Sequence, residues 1–146
     1  MENDFNPLEQ AAWGGLLGMY GRMTRLIDAD LLDHSKITHV EFEVLLRLSW
    51  DPNRRMRIQD LAARSILTRS GVSRVVERLE KAGLVIREEA SEDRRGAYAV
   101  LTEAGAVRLK TALTAHVAFV RQNFIDLFSE QELEQMAGFW QRVEEH

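Results

Sequence analysis

The feature that most constrains this chain is a run of short elements between Ile58 and Leu101. Ile58 to Ser65 has the spacing of a short helix with Leu61 and Ala62 inside. Ile66 and Leu67 make a brief apolar turn. Thr68 is then a good N-cap, because its hydroxyl can accept a free N–H of the first helical turn. The helix that follows runs to about Ala82, with Val72, Val75, Val76 and Leu79 on one face. Gly83 supplies a left-handed residue to close it. Leu84 to Arg87 and Tyr98 to Leu101 read as two short strands, and the polar stretch between them as a charged hairpin tip. Helix, tight turn, helix and hairpin in this order form a winged helix-turn-helix.

The flanking segments are helical by periodicity. Leu8 to Leu32 reads as one long helix, with apolar residues at steps of three and four from Leu8 to Leu31. A second helix starts at Thr38, where Glu41 completes a capping box. Its apolar face is Phe42, Leu45, Leu46 and Leu48, and Asp51-Pro52-Asn53 ends it, since proline cannot continue a helix. Thr102 caps a long fifth helix whose inner side is predicted at Val107, Leu109, Leu113, Val117, Val120, Phe124 and Leu127. Ser129 and Glu132 form another capping box. It opens a last helix with Leu133, Met136, Ala137, Trp140 and Val143 predicted inside. The fold class expected is mainly α with a small β-hairpin wing.

Charge points the same way. The net charge is −4, yet the stretch from Arg54 to Arg95 holds eleven Lys/Arg and seven Asp/Glu, which makes it +4 and leaves −8 for the rest. A basic middle between acidic arms suits a localised polyanion surface. In a helix-turn-helix the N-terminal side chains of the second helix meet base edges in the major groove. Those positions carry Thr68, Arg69, Ser70, Ser73 and Arg74, with Arg78 a turn on. Arginine can pair bidentately with guanine, and serine or threonine suits phosphates and bases.

The chain resembles the MarR family of bacterial regulators over nearly its whole length. The likeness rests on Leu67-Thr68-Arg69-Ser70-Gly71-Val72-Ser73-Arg74 and on Arg78-Leu79-Glu80-Lys81-Ala82-Gly83-Leu84-Val85. Asp93-Arg94-Arg95-Gly96 and Val100-Leu101-Thr102-Glu103-Ala104-Gly105 follow at the family spacing. The resemblance implies a triangular homodimer in which residues 1–36 and 102–146 intertwine and residues 37–101 form the DNA-binding lobe. It implies that Arg95 enters the minor groove, positioned by Asp93, with Arg94 beside it. A narrow minor groove attracts arginine electrostatically. It also suggests repression relieved by a small aromatic or phenolic acid. The partners expected are therefore double-stranded DNA bearing an inverted repeat, a second copy of the chain, and such an acid.

Two features stand apart from DNA binding. Gly14, Gly18 and Gly21 share a face of the first helix, with Gly15 beside them, and each costs a helix about 1 kcal/mol against alanine. Close helix–helix contact at a dimer interface is one use of that face. Room for a ligand beside Trp13, Leu17 and Tyr20 is the other, with His39 as a further wall residue and Arg47 or Arg87 as its charge partner. The four histidines lack the i, i+4 spacing of a helical metal site, so no metal or cofactor is expected.

There are no cysteines, which removes disulfides, thiolate metal sites and a cysteine nucleophile. No catalytic motif is recognisable, so an enzyme is the weaker alternative, as is a winged helix that binds protein and not DNA. Hydrophobic residues make up 45% and charged residues 29%, an ordinary globular balance. The acidic MENDFNPLEQ start does not read as a signal peptide, and Ala11 to Tyr20 is too short to span a bilayer. A cytoplasmic location and no membrane partner are expected.

Overall fold

A computed structural model describes residues 4–63, 69–91 and 96–146. Helix α1 spans Pro7–Ser35, α2 His39–Trp50, α3 Ile58–Ala63, α4 Arg69–Lys81, α5 Glu103–Asn123 and α6 Glu130–Glu144. Strands β1 (Arg55–Arg57), β2 (Val85–Glu89) and β3 (Ala97–Leu101) complete the order, and a 3-10 turn at Ile125–Leu127 separates α5 from α6. The helix starts follow local chemistry. Thr38 and Ser129 each accept from the third backbone N–H of their helices, while Glu41 and Glu132 reach back to the cap. Asn6 and Glu9 do the same ahead of Pro7, so α1 starts a residue before the expected Leu8. Gly83 closes α4 with φ 73°, the left-handed conformation that glycine adopts without steric cost.

The wing is a three-stranded sheet and not a simple hairpin. Its order is β1-β3-β2, antiparallel throughout, with Met56 opposite Ala99 and Arg87 opposite Ala99 on the other side. The added strand β1 ties the segment after α2 to the wing.

The core lies within the segment from α2 to β3. Phe42, Leu45 and Leu48 of α2 meet Leu61 of α3, Val72, Val76 and Leu79 of α4, and Val85, Ala99 and Leu101 of the sheet. The terminal helices send in little: Leu31 from α1, and Leu109 and Ala112 from α5. This corrects the expected inner faces. In the single chain Val107, Leu113, Val117 and Leu127 are exposed, as are Ala137, Trp140 and Val143. Leu133, Met136, Val120 and Phe124 are partly buried. Every residue from Asp4 to Tyr20 is exposed.

Candidate nucleic-acid interface

Helix α4 is strongly two-faced. Val72, Val75, Val76 and Leu79 are buried, which fixes the opposite face outward. Ser70 and Arg74 are exposed there, and Ser73 is partly buried. Arg74 has no ion pair among the described residues. Its charge is therefore not spent on a carboxylate among the described residues. Arg78 differs. Its Nε lies 3.0 Å from Oε1 of Glu41, whose Oε2 accepts from the Thr38 backbone N–H at 2.9 Å. One carboxylate thus caps α2 and holds the last turns of α4 against it. Arg78 can reach a phosphate only in competition with that pair. Arg69 is the first residue of α4. Thr68, Asp93, Arg94 and Arg95 lie outside the described residues.

The base of the wing holds a cationic cluster that residue patterning did not single out. The Arg55 guanidinium sits 3.9 Å from the centroid of the Tyr98 ring, and that of Arg57 5.2 Å. Arg57 Nε also donates to the Tyr98 hydroxyl at 3.3 Å, and Arg55 is 3.6 Å from Glu88. Residues 55 and 57 point to the same side of a strand. The R-x-R spacing was the available signal, but three residues are too few to declare a strand.

The residues expected around a ligand are dispersed in the single chain. Trp13, Leu17 and Tyr20 stand exposed on the N-terminal half of α1. His39 and Arg47 both approach Glu43, at 3.9 and 3.4 Å, and the His39 backbone N–H donates to Asp28 at 2.7 Å. Arg87 lies on β2, close enough to Glu77 of α4 to help hold that carboxyl below its usual range, after the larger effect of Lys81. The described residues contain no group of three or more histidines and carboxylates that could hold a metal ion. None of their helices is long and apolar enough to cross a membrane.

Residues 37–96 match the model of the MarR family, a span that holds α2 to β2 and stops before β3. AbsC, a MarR family transcriptional regulator from Streptomyces coelicolor, is 35% identical, with a TM-score of 0.90 over 99% of this chain and 97% of that one. This chain belongs to the MarR family of transcriptional regulators. A second MarR regulator from the same organism, Sco3205, was solved in complex with DNA. It is 31% identical, with a TM-score of 0.91 over 98% of this chain and 90% of that one. An HTH-type transcriptional regulator of Bacillus cereus is 30% identical over 142 residues, covering 97% of this chain and 92% of its own. The MarR likeness thus extends beyond the winged helix to the terminal helices.

Proposed function

We propose that this MarR-family protein is a cytoplasmic, sequence-specific repressor that binds double-stranded DNA as a homodimer. The observation that carries the reading is the outward face of α4. It presents Ser70 and Arg74, the latter with no ion pair among the described residues, on a helix that begins at Arg69 and is anchored by four buried apolar side chains. Thr68 and the wing residues Asp93, Arg94 and Arg95 belong to the same proposed surface. That a relative 31% identical was solved on DNA supports it. The homodimer is supported by the apolar exposure of α1, α5 and α6, the region outside residues 37–101. Obligate dimer interfaces resemble a domain core cut in half. Two-fold symmetry then calls for an inverted repeat with half-sites about one helical turn, roughly 34–36 Å, apart.

Site selection on random DNA followed by affinity measurement tests this. An inverted repeat should be recovered. Arg74→Ala should cost about 1–3 kcal/mol at one position of each half-site, and Arg95→Ala should weaken binding with the fold intact. Recovery of an asymmetric site, or variants that bind like the parent, would remove the proposal. Release by a small aromatic acid is its finer part. The exposed Trp13, Leu17 and Tyr20 supply the apolar wall, with His39 and Arg47 on α2. Arg87, which faces α4, is the weaker charge partner. Titrating salicylate into the protein–DNA complex should lower affinity, and Trp13→Ala should blunt the response.

A further inference from the structure

We infer that Tyr98 holds Arg55 and Arg57 as a clamp for DNA phosphates on the outer face of the sheet, adding backbone contacts to those proposed for α4 and for residues 93–95. The inference rests on the DNA-binding reading above and extends its footprint to β1.

The strand register places the cluster. Arg57, Tyr98 and Glu88 stand in one row across β1, β3 and β2, and Arg55 is two residues back on the same side. Met56 and Ala99 alternate with them and pair on the opposite face, where Ala99 is part of the core. The row therefore looks outward. Arg57 is followed at once by Ile58, the first residue of α3. The first helix of a helix-turn-helix crosses the phosphate backbone, while the second lies in the major groove. Tyr98 is the second residue of β3, the strand that follows the proposed minor-groove residues 93–95. A sugar–phosphate strand separates the major groove assigned to α4 from the minor groove assigned to Arg95. The cluster lies on the sheet between those two contacts.

Its chemistry fits a phosphate oxygen. The Arg55 guanidinium lies 3.9 Å from the Tyr98 ring centroid, well inside the range of a cation–π contact. The ring orders the planar fork before any ligand arrives, so less freedom is lost on binding. The Arg55 Nε is buried with no hydrogen-bond partner among the described residues. Glu88 is 3.6 Å from its Nη2, an ion pair too long to count as a hydrogen bond. Arg55 is thus held in place with 40% of its side chain exposed and donors unspent. The Tyr98 hydroxyl accepts from Arg57 Nε at 3.3 Å, which ties the second guanidinium to the same ring. Arginine forks pair with phosphate through parallel, charge-assisted N–H donors. Glu88 is the carboxylate that a phosphate would have to displace from Arg55.

The test measures the affinity of the full-length protein for its selected site and for a scrambled duplex over a range of salt concentrations. Each phosphate contact contributes about 0.9 to the slope of log K against log salt. Arg55→Gln and Arg57→Gln should each flatten the slope by about that amount and weaken both duplexes alike, leaving the preferred sequence unchanged. That uniform loss separates the clamp from Arg74, whose removal should fall on one base position. Arg54→Gln is the control. Arg54 is the next residue but pairs with Glu103 at 3.0 Å, so its variant should keep the parent slope. Tyr98→Leu removes no charge, yet should weaken both duplexes about two- to fivefold, the worth of an exposed cation–π contact. Tyr98→Phe keeps the ring and should recover most of that loss. Glu88→Gln leaves the stack whole, serves if Tyr98→Leu does not fold, and should tighten binding to both duplexes. The inference is overturned if the Arg55 and Arg57 variants keep the parent slope, or if Arg54→Gln flattens it as much. It is equally overturned if Tyr98→Phe falls as far as Tyr98→Leu, or if Glu88→Gln weakens binding. A parent that binds neither duplex removes the DNA-binding reading and this inference together. A parent that binds, with Arg55 and Arg57 variants that match it, removes this inference alone.

Discussion

The segment from α2 to β3 and the terminal helices treat apolar side chains in opposite ways. In the first, Phe42, Leu45, Leu48, Leu61, Val72, Val76 and Leu79 are almost wholly withdrawn from water, and they come from three helices that cover one another. In the second, Trp13, Leu17, Tyr20, Val117, Trp140 and Val143 are exposed, although their spacing is as regular. Burial of apolar surface is worth about 25 cal/mol per Å², and soluble monomers rarely leave large contiguous patches uncovered. The difference teaches that one half of the molecule completes its core within the chain. The other half has its apolar faces made but not covered, which is the condition the proposed homodimer resolves.

Changes in the two regions should therefore fail differently. Phe42→Ala removes the largest wholly buried side chain. It should cost about 3–5 kcal/mol by chemical denaturation, with the same loss across a range of protein concentrations. A loss that vanished at high concentration would blur the distinction. Trp140→Ala should act on association. Truncating an interface anchor costs about 2 kcal/mol or more, which sedimentation equilibrium would read as a dimer dissociating at higher concentrations. Trp50→Ala is the control, since Trp50 is 65% exposed but lies on the lobe. If both tryptophan variants associate like the parent, α6 is not part of the interface.

Glycine sharpens the contrast. A Cβ on Gly105 would lie 2.7 Å from a methyl carbon of Leu101 and closer still to the Leu84 carbonyl oxygen. That oxygen already accepts the Thr102 N–H at 3.1 Å, so it is poorly placed to move. Gly105→Ala should destabilise by about 1–3 kcal/mol, as overpacking does. A Cβ on Gly18 meets nothing within 4 Å among the described residues. On an uncovered helix face Gly18→Ala should stabilise by up to about 1 kcal/mol. If the partner packs there, the same change should weaken the dimer. Thermal denaturation together with sedimentation decides between the two signs.

What was legible in the residues was local. The Thr38–Glu41 and Ser129–Glu132 boxes, the Thr102 cap and Gly83 each act over three or four positions, and each stands as expected. Strand β1 was not legible, because Arg-Met-Arg has neither the length nor the apolar alternation of a strand. It exists through pairing with β3, more than forty residues on. The Arg78–Glu41 pair and the Arg108–Ser35 bond join positions 37 and 73 apart, so neither could be anticipated. Periodicity in α5 and α6 identified an apolar face correctly but not what lies over it. That is why Val117 and Trp140 were expected inside and are exposed in one chain. The two-faced character of α4 was legible because it needs only one helix, its valines and its opposite face.

The smallest effect expected lies where the two regions touch. His116 on α5 packs its ring against Phe42 of α2, with centroids 4.8 Å apart, and its Nδ1 is buried without a hydrogen-bond partner among the described residues. Burial lowers its pKa below the ordinary imidazole value of about 6.5, and His39 on α2 lowers it further. Glu43 on α2 and Asp30 on α1 pull the other way without reversing it. The folded state thus holds its proton less tightly than the unfolded state. Stability then rises with pH wherever the unfolded chain binds more protons. The contribution should be fully present above about pH 6.5, begin to fall as pH drops through that value, and be lost once pH passes below the depressed folded pKa. His116→Gln keeps a polar group of similar reach and cannot titrate. Denaturation of both proteins between pH 5 and 8 should show a shallower slope in the variant, and NMR titration of the parent should place His116 below the ordinary imidazole value. A His116 that titrates at or above the free imidazole value, with parallel slopes in the two proteins, would mean that the α2–α5 contact opens to water and does not bury the ring.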